Sequence, residues 1–225
     1  ISVPTGIVFF SAIGTIWLGR LRFATPMLWV FGFVWCFLIG GITGVYLADV
    51  PTDIVLTDTY FVVAHFHYTI VGGMIFGLFA GLTYWFPKFT GRMMSERLGK
   101  LHFWWFTLAF NAAFLPMFWL GFQGMRRRVA DYPAELANVN LWASSAAWMI
   151  GLSMFVFIFN FIRSWARGPN AGPNPWEAKT LEWQIASPPP VENFDDLPVV
   201  TAGPYGYGGR PLMPSPAIDP SGASS

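Results

Sequence analysis

The chain is poor in charge. Only 11% of its 225 residues are Asp, Glu, Lys or Arg, where an ordinary soluble domain carries about 25%. It has a single cysteine, Cys36, so an intrachain disulfide framework and a Cys-based metal site are both excluded. Cys36 lies in an apolar run and reads as a small buried residue, not as a reactive thiol. The formal net charge is +1, and no basic stripe with interleaved aromatics appears, which argues against nucleic acid as a partner. There is no internal repeat. No initiator Met and no basic segment precede the opening Ile1-Ser2-Val3-Pro4-Thr5-Gly6. That opening is not a signal peptide; it reads as a chain cut, split or processed part-way through a larger protein.

What is abundant is apolar and aromatic. Hydrophobic residues make up 54% and aromatic residues 19%, with 23 Phe and 12 Trp, a composition that suits membrane lipid as the surroundings. Five apolar segments are near the roughly 20 residues that a bilayer requires, the first of them slightly short. They fall at about 3–18, 26–47, 58–86, 98–121 and 141–165. The fold class is therefore all-α integral membrane, with five transmembrane helices over residues 1–168 and an irregular Pro/Gly-rich tail over 169–225. Trp104, Trp105, Trp119, Trp148 and Trp165 mostly lie near span ends and read as interface anchors. Pro188-Pro189-Pro190 reads as extended polyproline, and 201–225 as irregular or disordered.

Loop charges set the orientation. One side carries Arg20, Arg22, Lys88, Arg92, Arg97, Lys100, Arg163 and Arg167. The other carries Asp49, Asp53, Asp131 and Glu135 together with the run Arg126-Arg127-Arg128. The positive-inside rule places the first side, and the tail, in the cytoplasm or its equivalent. The Arg run is then an exception on the outer side. It reads either as a site for an anionic partner or as a solvated loop.

Two histidines lie inside the third span, His65 and His67, with Phe66 between them. Ionisable groups at membrane depth are costly and mark function by default. Residues two apart on a helix differ by roughly 200° in direction, so the pair suits two separate acceptors on opposite sides, not one metal on one face. Imidazole is a common haem-iron ligand. The simpler alternative is a hydrogen bond from either His to a neighbouring helix. Arg matches carboxylates such as haem propionates bidentately, and the Arg run emerges at the same outer side as the histidines. Asp53 and Asp58 flank that end of the third span. They read either as Mg²⁺ ligands or, for Asp58 especially, as a helix cap. His102 reads as a satisfied or partly solvated histidine near an interface.

These residues carry a resemblance. Asp58-Thr59-Tyr60-Phe61-Val62-Val63-Ala64-His65-Phe66-His67-Tyr68 resembles the haem-ligand helix of subunit I of the haem–copper oxygen reductases, the cytochrome c oxidase type. Gly124-Met125 with Arg127-Arg128 and Asp131-Tyr132-Pro133 resembles that family's propionate-binding loop. Trp85-Phe86-Pro87, Gly91, Leu181-Glu182-Trp183, the triple proline and Phe194 also fit. The similarity runs to about Phe194 and marks the C-terminal portion of the subunit.

The resemblance implies roles. The five spans would be the last five of a twelve-helix bundle. His65 would be the proximal, catalytic ligand of a high-spin haem where oxygen is reduced, and His67 an axial ligand of a low-spin haem that feeds it electrons. Phe66 would lie between the haems, which would be of the a type. Arg127 and Arg128 would hold propionates, and Asp58 would belong to a Mg²⁺ site. Copper at the reaction centre would be held by residues outside this chain. Expected partners are the N-terminal part of subunit I, a copper-bearing subunit II, subunit III, and cytochrome c as donor. The location would be the bacterial plasma membrane or the mitochondrial inner membrane, with the C-terminus on the cytoplasmic or matrix side.

Three positions depart from the family pattern. Val8 stands where some members carry a proton-conducting Lys, and valine relays no proton. Thr57 stands where a His usually precedes the Asp, which weakens a metal site there. Arg126 replaces a common Pro. The leading expectation is the haem-bearing part of a proton-translocating terminal oxidase. A quinol oxidase or nitric oxide reductase of the same superfamily is one alternative, and a non-catalytic paralogue or remnant is another.

Overall fold

The computed structural model describes residues 1–194, all helix and connecting loop apart from isolated backbone bridges; the expected irregular stretch at 201–225 lies outside them. Seven α-helices follow in order: α1 (Ser2–Ile16), α2 (Thr25–Ala48), α3 (Val50–Leu56), α4 (Tyr60–Thr69), α5 (Phe76–Thr90), α6 (Glu96–Phe122) and α7 (Ala137–Arg167). A π-helical segment, Ile70–Ile75, joins α4 to α5 without a break, and a 3₁₀ turn, Ala134–Leu136, leads into α7.

Four helical runs are long and apolar enough to cross a membrane: Thr25–Ala48, Tyr60–Thr90, Glu96–Phe122 and Ala134–Arg167. They coincide with the second to fifth expected spans. The first expected span forms α1, which is apolar but has only 15 residues, or about 22 Å at 1.5 Å per residue. The structure thus shows four long membrane helices and one shorter apolar helix.

The helix α3 departs from expectation, since apolar length alone marks no helix between the second and third spans. Local chemistry accounts for it. Pro51 occupies the first turn, where its missing N–H costs nothing; Asp49 accepts from Thr52 Oγ1 at 2.8 Å, and Asp53 places negative charge in the first turn. Asp58 is not the cap of the next helix. That position belongs to Thr59, whose Oγ1 accepts from Phe61 N–H at 3.2 Å and donates to Leu56 O at 2.6 Å.

The chain divides into two compact units. The first comprises Ile1–Tyr84 and Ser95–Ile162. Its core is built around Trp29, fully buried, whose ring lies 4.7–5.6 Å from the rings of Phe76, Phe79, His102, Phe103 and Phe106. The π segment matters here. A π turn holds an extra residue, so side chains after it are rotated relative to those before it, and α5 presents Phe76 and Phe79 to Trp29. His102 is not near solvent. It is 2% exposed inside this aromatic cluster, and its Nε2 has no hydrogen-bond partner among the described residues. The starts of α2 and α6 are tied together by the Glu96 carboxylate, which accepts from Thr25 N–H and Oγ1, both at 3.1 Å.

The seam between α4 and α6 is the tightest in this unit. Gly121 faces the backbone of Phe61, and a Cβ there would collide with Phe61 N, Cα and Cβ. Glycine at such seams lets membrane helices approach at backbone distance.

The second unit comprises, among the described residues, Trp85–Met94 and 163–194. It is organised by Lys88, which is 7% exposed. Its Nζ donates to Pro173 O at 3.1 Å, Ile185 O at 2.9 Å and Ala186 O at 3.3 Å, and lies 4.9 Å above the Trp183 ring. Trp183 is 1% exposed, in a 3₁₀ turn, Leu181–Gln184. The first part of the tail, expected to be irregular, is thus wound around one ammonium group.

Two substitutions test this packing in the assembled complex. Gly121→Ala overpacks the seam and is expected to lower stability by about 1–3 kcal/mol, read as a lower thermal midpoint in detergent. Lys88→Met leaves three carbonyls without their donor, at a cost of about 1–3 kcal/mol, and limited proteolysis is expected to cut after Gly168 faster than in the parent.

Candidate functional site

The site begins with a clasp between the first turn of α4 and the loop after α6. Tyr60 N–H donates to Met125 O at 2.9 Å and Arg127 N–H donates to Asp58 O at 2.8 Å, with Thr59 and Arg126 paired antiparallel between them. Asp58 has a φ of 58°, a left-handed conformation that Asp and Asn adopt more readily than most residues. Its carboxylate Oδ1 accepts from Arg127 Nε at 2.9 Å and Nη2 at 2.6 Å. Asp58 and Arg127, given separate roles by the sequence, are therefore partners.

The clasp carries the Arg run over His67. An open cavity of about 390 Å³ is lined by His67, Phe66, Phe114, Met117, Arg127 and Arg128, among others. The His67 ring stacks on Phe114 of α6 at 4.0 Å and 19°, and lies 4.5 Å from the Phe66 ring. His67 Nδ1 is 2.8 Å from Val63 O. A carbonyl only accepts, so Nδ1 carries the hydrogen and Nε2 keeps its lone pair.

His65 turns the other way, toward α2. Its Nδ1 lies 3.0 Å from Gly40 O and 3.3 Å from Thr43 Oγ1, which again leaves the Nε2 lone pair available. Gly44 makes room for this ring, since a Cβ there would sit 2.8 Å from His65 Cε1, and Gly40 makes room for the α4 backbone, since a Cβ there would sit 2.8 Å from Thr69 N. The divergence expected from the two-residue spacing is present. Metal-binding histidines commonly give their second ring N–H to a backbone carbonyl, which fixes the tautomer and the ring orientation. Both imidazoles here are held in that manner.

The remaining candidates separate. Asp53 lies in α3. Among the described residues no three His, Cys, Asp or Glu side chains are grouped to hold a metal ion. Phe66 lines the His67 cavity. Sequence reasoning overlooks Gly40, Gly44, Phe114 and the Asp58–Arg127 pair. The Gly40-x-x-x-Gly44 spacing is a usable signal for close helix approach; Phe114 carries none, being one Phe among 23.

The family model described as Cytochrome C and Quinol oxidase polypeptide I matches residues 1–158 of this chain. The chain belongs to that family. Among similar members of the polypeptide I family, the cytochrome c oxidase subunit 1 of Thermostichus vulcanus and that of Synechocystis sp. are each 49% identical over 208 residues. Each of those alignments covers 92% of this chain and 38% of the relative. A putative cytochrome c oxidase subunit 1-beta of Streptomyces coelicolor is 48% identical over 202 residues, covering 88% of this chain and 35% of that one. The chain therefore spans little more than a third of the length of these relatives. A solved haem–copper terminal oxidase dimer shares the fold, with a TM-score of 0.57 at 23% identity, over 65% of this chain and 27% of that one.

The Asp58–Arg127 pair is a local fastening in this polypeptide I chain. The Asp58 side chain is 70% exposed, and exposed ion pairs contribute up to about 1 kcal/mol. Asp58→Asn keeps a residue that accepts the left-handed backbone, so it is expected to lower stability by less than about 1 kcal/mol. Thermal unfolding of parent and variant complexes at low and high salt checks this; the small difference should shrink further with salt.

Proposed function

We propose that this chain is the haem-bearing part of the catalytic subunit of a terminal respiratory oxidase. The observation that carries this reading is one cavity that joins the His67 imidazole to the Arg127 and Arg128 guanidinium groups, while His65 is held on the opposite side of the same helix. The donor set fits a haem: an imidazole with a free Nε2 lone pair, aromatic walls at Phe66 and Phe114, and two cations suited to carboxylates. His67 would hold the iron of a low-spin haem, and Arg127 and Arg128 its propionates. His65 would hold a second, high-spin haem, with Phe66 between the two. Haem, when bound, supplies the electron-transfer and oxygen-reduction chemistry.

The chain's own residues do the positioning. Val63 O and Gly40 O fix the two imidazole tautomers, Gly44 leaves space for the His65 ring, and Phe114 limits rotation of His67. The clasp holds the Arg run over the cavity, and Asp58 orients the Arg127 guanidinium. Asp58 would support a Mg²⁺ site only with further ligands, since no such group is gathered around it among the described residues. Copper belongs to residues outside this chain as well. Val8, in α1 and exposed, offers no proton-relaying group.

The whole assembly would comprise this chain, the N-terminal part of subunit I, a copper-bearing subunit II and subunit III. It would sit in a bacterial plasma membrane or a mitochondrial inner membrane with the tail on the cytoplasmic or matrix side. Its overall reaction would be oxidation of cytochrome c and reduction of oxygen to water, coupled to proton translocation. The names of the relatives support cytochrome c as donor. The family description also includes quinol, so a quinol donor is the second reading, and absorbance traces with reduced cytochrome c and with quinol distinguish the two.

Two substitutions in the assembled complex test the ligand roles. His67→Ala is expected to abolish the low-spin haem absorbance, and His65→Ala the oxygen-reactive signal. Retention of both signals in both variants would falsify the assignment.

A further inference from the structure

Beside the His67 site lies a polar chain that the ligand reading does not use. Tyr68, the residue after His67, is fully buried. Its hydroxyl donates to Asn111 Oδ1 on α6 at 2.7 Å. The Asn111 amide is itself held by its own helix, since Nδ2 donates to Thr107 O at 2.8 Å, and it reaches toward Cys36 Sγ on α2 at 4.0 Å. With Nδ2 so engaged, Oδ1 is the atom left to accept from tyrosine. The Tyr68 ring is further seated by Phe110 at 4.9 Å and Phe118 at 5.5 Å.

The spacing gives this chain its consequence. Asn111 and Phe114 are three apart on α6 and so lie on one face. Asn111 grips Tyr68 while Phe114 stacks on His67, and Tyr68 and His67 are adjacent on α4. Two contacts one turn apart on α6 thus hold two consecutive side chains of α4. The stack on Phe114 is apolar and tolerates sliding. The hydrogen bond is directional and sets both the rotation and the axial register of α4 against α6.

We propose that Asn111, acting through the Tyr68 hydroxyl, is a positioning residue for His67, fixing the angle at which that imidazole faces the Arg127/Arg128 cavity. This rests on the reading of His67 as a haem ligand. His65, which is oriented by Gly40 O on α2, should feel the bond much less.

The test uses the assembled complex with Tyr68→Phe, Asn111→Leu, the double variant, Asn111→Asp as the variant that keeps a side-chain oxygen acceptor, and His67→Ala as control. The readouts are the positions and widths of the low-spin and high-spin haem absorbance bands. Tyr68→Phe and Asn111→Leu are each expected to shift and broaden the low-spin band while leaving the high-spin band in place. The double variant should match the single variants, since both remove one bond, and Asn111→Asp should restore the parent band at least in part. Unchanged low-spin bands in both single variants, with the band lost in His67→Ala, would overturn the inference and leave the ligand reading intact. So would additive shifts in the double variant, or equal changes in both bands, which mark a merely structural role. If Asn111→Leu fails to assemble, Tyr68→Phe decides, because it removes only one oxygen. An unaltered low-spin band in His67→Ala would overturn the ligand reading itself, and this inference with it.

Discussion

The site depends on how closely α4 and α6 approach. Gly121 lets the end of α6 meet the backbone of Phe61, and that contact sets the distance at which everything else along the seam engages. Above it, the Asp58–Thr59 and Met125–Arg127 backbones pair; below it, Phe114 reaches the His67 ring and Asn111 reaches Tyr68. A side chain at 121 would separate the helices along their length, since a helix pair packed over many residues moves as a rigid unit. One missing Cβ therefore sets the geometry of a cavity several residues away.

Polar groups in the spans are handled by a consistent rule. Thr43, Thr69 and Thr83 each donate back to a carbonyl three or four residues earlier, so their hydroxyls cost little inside a membrane. His67 obeys the rule with one ring nitrogen, while His65 uses one ring nitrogen on a carbonyl of the neighbouring α2. Their Nδ1 atoms are spent on Gly40 O and Val63 O, and their Nε2 atoms stay available for a ligand. His102 differs: it is enclosed by rings, and its Nε2 has no partner among the described residues. The three histidines are thus separated by environment: two hold one ring nitrogen on a carbonyl beside a helix seam, and the third is enclosed by rings.

Much of the architecture is legible in the sequence. Apolar length locates the four long membrane helices, because the bilayer imposes that length directly. The two-residue spacing gives the opposite facing of His65 and His67, because helical rotation per residue is nearly invariant. Depth and charge associate the loop containing Arg127 and Arg128 with the histidines, and the cavity that His67 shares with both arginines agrees with that. The helix α3 escapes a sequence reading because its proline and aspartates are loop signals unless their positions in the first turn are known. The ordering of 169–194 escapes it because it hangs on Lys88, which is 85 to 98 residues distant in sequence from its acceptors, and no local pattern announces such a bond. Asp58 reads as a cap or a metal ligand; its pairing with Arg127 is a long-range contact of the same kind.

By itself the sequence determined the membrane habit of the chain, the places of its four long apolar helices, and the fact that two imidazoles point apart, since length, composition and helical periodicity are properties of neighbouring residues. The tertiary structure decided which atoms those imidazoles keep free, which arginine is held by Asp58, and which residue of α6 meets which residue of α4. Those outcomes depend on distances between segments far apart in the chain, set by glycines at the helix seams and by hydrogen bonds that exist only once the helices have packed.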